Sequence, residues 1–334
     1  MTKTIKIGTR GSQLALWQAN WVKSEIEKIL DGLYSSNPVS IPKIEIVKIK
    51  TTGDQITDRP LSMVGGKGLF VKEIEQQLLD GQIDIAVHSM KDMPAVLPDG
   101  LIVGATPVRA NPFDVIISRG NLPLDRLPSG AKIGTSSLRR ASQIKHSRPD
   151  INPISIRGNL DTRLKKLDTG EYDAIILAAA GLIRLGMSER VTQYLDEDTM
   201  VPAVGQGALC IESRQNDEKI SHILAKLDDL TTRLPVEAER AFLKKMEGSC
   251  HIPVACFGKF INTTDRALSS KLTLTGLVAS EDGAKIIKES AVHSMDKIAD
   301  KELSEQLKFA QNIGNELADQ LLNKGAKEIL ESLK

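Results

Sequence analysis

The sequence predicts an α/β protein with mixed, mainly parallel sheets and a small α+β domain at its C-terminal end. Through about residue 225, short apolar runs typical of buried strands alternate with segments of helical periodicity. From residue 254 the pattern changes to alternating strands, such as 271–277, and one long helix near 300–323. The 334 residues exceed the ~250 to 300 residues at which single cores stop growing, so two or three domains are expected.

The charge balance and the scarcity of aromatic residues disfavour a nucleic-acid partner. Lys and Arg together number 44 against 43 Asp and Glu, and aromatic residues are 3% of the chain, so a broad basic surface and stacking platforms are lacking. No apolar run resembles a signal core or a membrane span, so a cytoplasmic protein without membrane contact is expected. Cys210, Cys250 and Cys256 match no zinc or disulfide spacing, so no metal site is predicted.

The N-terminal segment is predicted to form a strand, a turn and a helix. A strand at 5–7 precedes Arg10, and Ser12 is a suitable N-cap for a helix over 13–30. Unpaired amides at the start of that helix, beside Arg10, favour a bound anion. After a strand at 44–49, the segment 51–68 has little periodicity and carries Lys67 between glycines. We interpret it as a lid, because the Gly-x-x-x-x-Gly-Lys-Ser/Thr pattern of a phosphate-binding loop is absent.

A buried strand predicted at 83–87 ends in a crowded set of ionisable and hydroxyl side chains. His88, Ser89, Lys91 and Asp92 follow it directly. Ligands of open parallel sheets bind outside the carboxyl ends of the strands, so this constellation is a candidate active site. The alternative is that Asp92 only caps a helix and that Lys91 is its solvated neighbour.

A second unit repeats the pattern of a strand followed by an arginine. Its strands are predicted at 115–118, from 133, at 154–156 and at 174–178. Thr135, Ser136 and Ser137 lead from the second of these strands into a helix. The arginines expected at or beyond strand ends are Arg10, Arg109, Arg139, Arg140, Arg157, Arg163 and Arg184. Because like charges repel and compensating acids are scarce around them in the sequence, we interpret the group as a site for a polyanion.

The strand that follows Gln206 determines the predicted domain organisation. It spans 208–211 and is expected to return to the first sheet, which makes the first domain discontinuous. The predicted domains are 1–107 with 208–225, then 112–201, and finally 230–334. Two linkers then join the first two domains, which is typical of a hinge.

Cys250 differs in its context from the other cysteines. The turn Gly-Ser-Cys-His-Ile-Pro at 248–253 would expose its sulfur, whereas Cys210 lies in an apolar strand and is suited to fill a core. Cys250 is therefore a candidate nucleophile or attachment site, with an unreactive loop cysteine as the alternative.

Ordered motifs along nearly the whole chain resemble those of one enzyme family. They lie at 8–10 with 14–18, 65–70, 84–94, 134–140, 157–159 with 162–164, 172–181, 205–207, and 239–240 with 248–253. These stretches resemble the hydroxymethylbilane synthase family, whose members are also called porphobilinogen deaminases.

The resemblance implies a transferase in which two periplasmic-binding-protein-like lobes precede a small third domain that presents Cys250. Cys250 would hold a dipyrromethane cofactor through a thioether. Four porphobilinogen molecules would be joined head to tail onto this primer with release of ammonia, and hydrolysis would yield hydroxymethylbilane for tetrapyrrole (porphyrin and haem) biosynthesis. A monomer is the family expectation.

The resemblance also implies roles for single residues. Asp92 would protonate the leaving amine, stabilise the azafulvene-like cation and accept the proton lost from the attacked pyrrole carbon. Lys67 would close over the site. Residues implied at substrate carboxylates are Arg10, Arg157 and Arg163. Residues implied at cofactor carboxylates are Ser89, Lys91, Thr135, Ser137, Arg139, Arg140 and Arg184. The same motifs add Ser136, Gly158 and Gln206 as binding residues.

A binding protein without chemistry is the alternative reading of the same pattern. Two hinged α/β lobes that carry arginines also describe an anion receptor or the ligand-binding half of a sensor. Such a receptor has no need of a domain that presents an attachment cysteine, which favours the enzyme.

Overall fold

The computed structural model describes residues 4–33, 41–55, 68–246, 252–261 and 271–333. The chain forms two compact units. Unit 1 comprises Met1–Arg109 and Ala208–Arg233, and unit 2 comprises Ala110–Gly207 and Leu234–Lys334. The finer division into three domains stays a prediction.

Unit 1 contains a five-stranded mixed sheet, with strands numbered along the chain. The strands are β1 (Ile5–Thr9), β2 (Ile44–Lys48), β3 (Ile85–Ser89), β4 (Leu101–Ala105) and β10 (Leu209–Arg214). Their order in the sheet is β2-β1-β3-β10-β4. β1 runs parallel to β2 and β3, whereas β10 runs antiparallel to β3 and β4. The strand after Gln206 therefore lies in the first sheet.

Helices cover both faces of this sheet. The helices of unit 1 are α1 (Gln13–Leu33), α2 (Thr52–Gln55), α3 (Lys72–Leu79) and α7 (Glu218–Leu224). Val22 and Ile26 of α1 pack against Val87 on one face. Ile74 of α3 packs with Ala86 on the other face, because neighbouring residues of a strand point to opposite sides. The apolar spacing of each helix thus matches the sheet face that it covers.

The first sheet of unit 2 has the same pattern of strand directions as the sheet of unit 1, although the order of its strands along the chain differs. Its strands are β5 (Asp114–Ser118), β6 (Lys132–Gly134), β7 (Asn152–Ile154), β8 (Ala174–Ala178) and β9 (Gln193–Leu195), in the order β7-β6-β8-β5-β9. Again the fourth strand in the order, β5, is antiparallel to both neighbours. The helices beside this sheet are α4 (Leu138–Ser147), α5 (Leu160–Asp168) and α6 (Ala179–Arg184).

The second sheet of unit 2 is antiparallel and has its own core. Its strands are β11 (Val254–Ile261), β12 (Lys271–Ala279) and β13 (Ile286–Ser294), and the helices are α8 (Leu230–Lys245), α9 (Leu303–Leu321) and α10 (Lys327–Glu331). Phe242 of α8 and Leu317 of α9 are fully buried in this core. A Cβ at Gly314 would lie 2.0 Å from the Ala238 carbonyl oxygen, so glycine permits the close approach of α9 to α8.

The predicted α/β class with mixed, mainly parallel sheets is confirmed, and the long C-terminal helix appears as α9. Boundaries of predicted elements differ in places. The strand predicted at 83–87 lies at Ile85–Ser89, so His88 and Ser89 are part of it. The strand predicted at 154–156 lies at Asn152–Ile154, because Ile154 is the last residue that pairs with β6.

Candidate active site

A pocket that is partly open to solvent lies in unit 1 at the carboxyl ends of β1 and β3. Its lining residues are Arg10, Ser12, Leu14, Ala15, Gln18, Phe70, Val71, Val87, His88, Ser89 and Asp92. Parallel strands end at the same edge of a sheet, so residues that are distant in sequence meet there. The pocket combines cationic, hydroxyl, amide and carboxyl groups over an apolar base.

Arg10 is held from two sides. Its guanidinium pairs with the Asp54 carboxylate through Nε and Nη2, with Nε 3.2 Å from both carboxylate oxygens. The Phe70 ring stacks against it, with 4.1 Å between the guanidinium carbon and the ring centroid. Burial would raise the pKa of Asp54, but Arg10 and a hydrogen bond from Thr51 hold it below its usual value. Arg10 is therefore fixed in orientation before any ligand binds.

The serines of the pocket are also positioned by neighbours. The Gln18 side-chain amide donates to Ser89 Oγ over 2.9 Å, and Gln18 is buried. Ser12 Oγ accepts from the backbone N–H of Ala15 over 3.3 Å, which confirms its predicted role as the cap of α1. A hydroxyl that accepts one hydrogen bond keeps its own proton for a further acceptor. Ser89 is thus prepared to donate to an anion.

Asp92 ends a single 3-10 turn, Met90–Asp92, and lines the pocket while remaining half-buried. It does not start a helix, so the alternative in which it is only a helix cap does not describe its position. Lys91 is half-buried in the same turn and is not among the lining residues. His88 contributes to the wall, but its Nε2 lies 3.2 Å from the buried Glu212 carboxylate.

In unit 2 the predicted hydroxyl residues follow β6 in a connected turn. Thr135 is buried, and its Oγ1 accepts from the backbone N–H of Ser137 over 3.2 Å. Ser136 Oγ donates to the Ile156 carbonyl over 2.6 Å and accepts from the Ile156 N–H over 3.1 Å. These bonds join the ends of two neighbouring strand segments and fix the turn that carries the hydroxyl groups.

Arg139 and Arg140 share one buried carboxylate. Nη1 of Arg139 lies 2.8 Å from Asp114 Oδ2, and Nη2 of Arg140 lies 2.7 Å from Asp114 Oδ1. Further donations go to the carbonyls of Val201 and Ile176, over 2.7 and 3.0 Å. Burial would raise the pKa of Asp114, but the two guanidiniums hold it far below its usual range.

This geometry corrects the argument that the arginines lack compensating acids. Asp114 neutralises part of the Arg139 and Arg140 charge, and Asp54 does the same for Arg10. Gln206 belongs to the buried group too, since its amide donates to Asp114 over 3.1 Å and to the Pro112 carbonyl over 2.7 Å. The contacts of Arg139, Arg140 and Gln206 with a cofactor stay predictions.

The remaining predicted residues of unit 2 lie near backbone turns. Arg163 Nε donates to the Gly158 carbonyl over 2.8 Å. Gly158 has φ +111°, and a Cβ there would lie 2.6 Å from Thr162, so glycine is required by the turn. Arg184 donates to the Gly207 carbonyl over 2.8 Å, and burial lowers the pKa of Arg184 to about 10. Arg157 is half-buried just beyond β7.

Two predicted residues, Lys67 and Cys250, lie outside the described residues. Among the residues that the structure does describe, no group of three or more His, Cys, Asp and Glu side chains is arranged to hold a metal ion. Within the same residues, no helix has the length and apolar character needed to cross a membrane.

Sequence reasoning missed Gln18, Asp54 and Asp114. Gln18 follows the apolar stripe of α1 in the sequence and gives no separate signal. Asp54 stands 44 positions from Arg10, and Asp114 stands 25 positions before Arg139. An acid at the start of an apolar strand, as at Asp114, is the one signal that could have been read from sequence.

Comparison with known proteins supplies the family. The family model described as porphobilinogen deaminase, dipyromethane cofactor binding domain, matches residues 5–222, and the porphobilinogen deaminase C-terminal domain matches residues 233–323. The porphobilinogen deaminase of Bacillus pumilus is 49% identical over 99% of this chain and 98% of its own length. That of Syntrophotalea carbinolica is 45% identical over 99% and 96%.

Solved structures add a more distant similarity. A TRAP periplasmic solute binding protein from Desulfovibrio salexigens is 14% identical, with a TM-score of 0.42 over 68% of this chain and 73% of that chain. Similarity at this level carries no argument about ligand or activity. The two family models and the near-full-length relatives are decisive: this chain belongs to the porphobilinogen deaminase family.

Proposed function

We propose that this chain is a hydroxymethylbilane synthase, a transferase that condenses four porphobilinogen molecules head to tail, releases ammonia from each and yields hydroxymethylbilane. The observation that supports this best is the unit 1 pocket, in which Asp92 shares the wall with Arg10, Gln18 and Ser89. Porphobilinogen carries two carboxylates and an amine that must leave. A suitable site therefore needs anion-binding donors and one acid that can move a proton, and this pocket offers both.

The family's dipyrromethane cofactor supplies the fixed primer onto which substrate units are joined. We place its thioether attachment at Cys250, in the Gly-Ser-Cys-His-Ile-Pro turn. The donor chemistry of the described residues fits a group that bears several carboxylates, because hydroxyl and cationic side chains follow the strand ends of both units. The residues proposed to hold its carboxylates are Ser89, Lys91, Thr135, Ser136, Ser137 and Arg184.

Asp92 is proposed as the acid and base of the reaction. Its protonated carboxyl gives the proton to the amine nitrogen as the carbon–nitrogen bond breaks, and ammonia leaves. The resulting carboxylate stabilises the cation that develops on the substrate. It then accepts the proton lost from the attacked pyrrole carbon, which returns Asp92 to its starting state. Leu14, Phe70 and Val71 line the same pocket and give it apolar surface.

Arg10 is proposed to bind a substrate carboxylate. Asp54 occupies its Nε edge and Phe70 covers one face, so the remaining edge of the guanidinium is already oriented. A pre-oriented fork loses little side-chain entropy when it binds a carboxylate. Arg157 and Arg163 are proposed for the other substrate carboxylates, and Lys67 is proposed to close over the site.

Arg139 and Arg140 are proposed to act on cofactor binding chiefly by fixing the end of β6. Their bonds to Asp114 and to the Val201 and Ile176 carbonyls support the turn that carries the hydroxyl residues. Gln206 adds a third donor to Asp114, and Gly158 gives the turn in which Arg163 is anchored. We also propose a monomer that works in the cytoplasm, and the balanced charge supports the absence of a nucleic-acid partner.

Asp92→Asn tests the proposed function. It keeps the size of the side chain but removes the acid, so ammonia release from porphobilinogen should fall by about 10² to 10⁴. Asp99→Asn, at an exposed position seven residues further on, is the matched control and should keep wild-type ammonia release. Circular dichroism of both variants establishes that each is folded. Near-normal ammonia release by folded Asp92→Asn would remove Asp92 from the mechanism.

A further inference from the structure

Three buried ionisable side chains lie together on the face of the unit 1 sheet that α3 covers. Glu75 of α3 and His88 of β3 are each 5% exposed, and Glu212 of β10 is 0% exposed. In the antiparallel register, Cys210 pairs with His88 and Glu212 pairs with Ala86, so Glu212 and His88 point to the same face. We call these three residues the buried acid cluster. Its member His88 directly precedes Ser89 at the carboxyl end of β3.

The two carboxyl groups of the buried acid cluster are only partly compensated by nearby cations and hydrogen-bond donors. His88 Nε2 lies 3.2 Å from Glu212 Oε2, which is an ion-pair distance. Among the described residues, no well-oriented hydrogen-bond donor meets either oxygen of Glu212 or Oε1 of Glu75. A carboxylate removed from water without donors is costly, and such a group takes up a proton instead.

Charged side chains on the surrounding elements do not compensate these two carboxyl groups either. Burial and the charge of Glu212 raise the pKa of Glu75 to about 7, against an opposing effect of Lys72 on the same helix. Arg214 of β10 donates to the Leu78 and Ile83 carbonyls and also pairs with the Asp84 and Asp217 carboxylates, over 3.2 and 2.9 Å. β4, which also packs on α3, has the sequence Leu-Ile-Val-Gly-Ala and carries no charge.

The cluster is mechanically linked to the catalytic turn. His88 directly precedes Ser89, and the partners of the turn are Leu209 at the start of β10, the strand that carries Glu212, and Ala208 just before it. Ser89 pairs with Leu209, and the Met90 N–H donates to the Ala208 carbonyl over 3.0 Å. A shift of β10 relative to β3 would therefore move residues 89–92.

We propose that the buried acid cluster is a positioning group for residues 89–92, an inference that rests on the proposed role of Asp92. While Glu75 is protonated, the cluster carries less negative charge and holds β3 and β10 in register. Loss of the Glu75 proton adds a negative charge next to the turn of residues 89–92, which loosens the turn and lowers turnover.

The pH dependence of turnover by the cofactor-loaded enzyme tests this proposal. In the wild type, kcat should fall at least about fivefold between about pH 7 and pH 9, with one limb near the pKa of Glu75, about 7. Glu75→Gln has no ionisable group at this position and should lack this limb. Glu212→Gln leaves Glu75 buried but removes a charge that raises its pKa, so in this variant the limb should move to lower pH. Glu27→Gln, on the exposed face of α1, is the control and should follow the wild type.

A second measurement separates failure of this proposal from failure of the proposed function. Backbone amide resonances of residues 89–92, followed by NMR against pH without substrate, should shift with a midpoint near 7 in the wild type and not in Glu75→Gln. If porphobilinogen is not turned over but these shifts occur, the function is wrong and the cluster still positions the turn. Alkaline limbs and amide shifts that are unchanged in both Glu75→Gln and Glu212→Gln would overturn the proposal.

Discussion

Two buried acidic groups, one in each unit, show how differently this chain treats a carboxylate removed from water. Asp114 in unit 2 is fully buried, and although burial raises its pKa, Arg139 and Arg140 lower it far below the usual range. Glu75 in unit 1 is also buried, but its close neighbour is the acid Glu212, and its pKa rises to about 7. The two sheets share one pattern of strand directions, so the partners of each acid, and not the fold, decide its charge.

The contrast has a functional meaning. A compensated carboxylate such as Asp114 keeps its charge over the whole physiological range and serves as a fixed support. An undercompensated acid titrates near neutral pH and makes its surroundings sensitive to proton concentration.

Replacing Asp114 by Asn should destabilise the protein most. It leaves the buried guanidiniums of Arg139 and Arg140 without an anion, which costs about 3 to 5 kcal/mol. The pKa of Asp114 is lower in the folded than in the unfolded chain, so its contribution is present above the unfolded value, about 3.8, and is lost as pH falls below it. In denaturant unfolding, the loss of stability in Asp114→Asn relative to the wild type should therefore become smaller at acid pH.

Asp125→Asn is the matched control for that measurement, because Asp125 is an exposed acid of the same unit. It should change the free energy of unfolding little. If Asp114→Asn were no more destabilising than Asp125→Asn at neutral pH, the contrast between the two buried groups would fail.

Glu75→Gln should have the opposite sign at alkaline pH. The pKa of Glu75 rises from 4.5 to about 7 on folding, so wild-type stability falls as pH increases through this window. Above about pH 7, Glu75→Gln should be more stable than the wild type by up to about 3 kcal/mol. Below about pH 4.5 this difference in stability should vanish. Thermal unfolding of both proteins across this range checks the sign. A stability difference that does not vary with pH would contradict the assigned ionisation.

The smallest effect is expected at a surface pair. Arg190 and Asp168 are ion-paired, but their side chains are 35% and 54% exposed. Water and salt screen such pairs, so Asp168→Asn should cost about 0.5 kcal/mol or less. A loss comparable to that of Asp114→Asn would show that burial is not what separates the two pairs. The same denaturant unfolding as for Asp114 provides this value.

Much of the fold could be predicted from local pattern. The spacing of Val22, Ile26 and Leu30 indicates a helix with one apolar face, and the run 83–87 indicates a buried strand. The polar end of that strand could be predicted as a candidate site because ligands bind at the carboxyl ends of parallel strands. These inferences depend on neighbours within a few residues, which the sequence displays directly.

The charge partners could not be predicted in the same way. Asp54 meets Arg10 and Asp114 meets Arg139 only after the strands have taken their places in the sheets. Glu212 and His88 come together because β10 pairs antiparallel with β3 although 124 positions separate the two residues in the chain. Whether an arginine is available to a ligand therefore depends on register, which no local motif contains.

The intact mass of the purified protein, measured under denaturing conditions beside Cys250→Ala, tests most directly whether this chain works on a dipyrromethane primer bound to Cys250. The wild type should exceed its sequence mass by two pyrrole units, and the variant should match its own sequence mass. An excess that persists in Cys250→Ala, or a wild type that stays at its sequence mass even after incubation with porphobilinogen, would contradict the account.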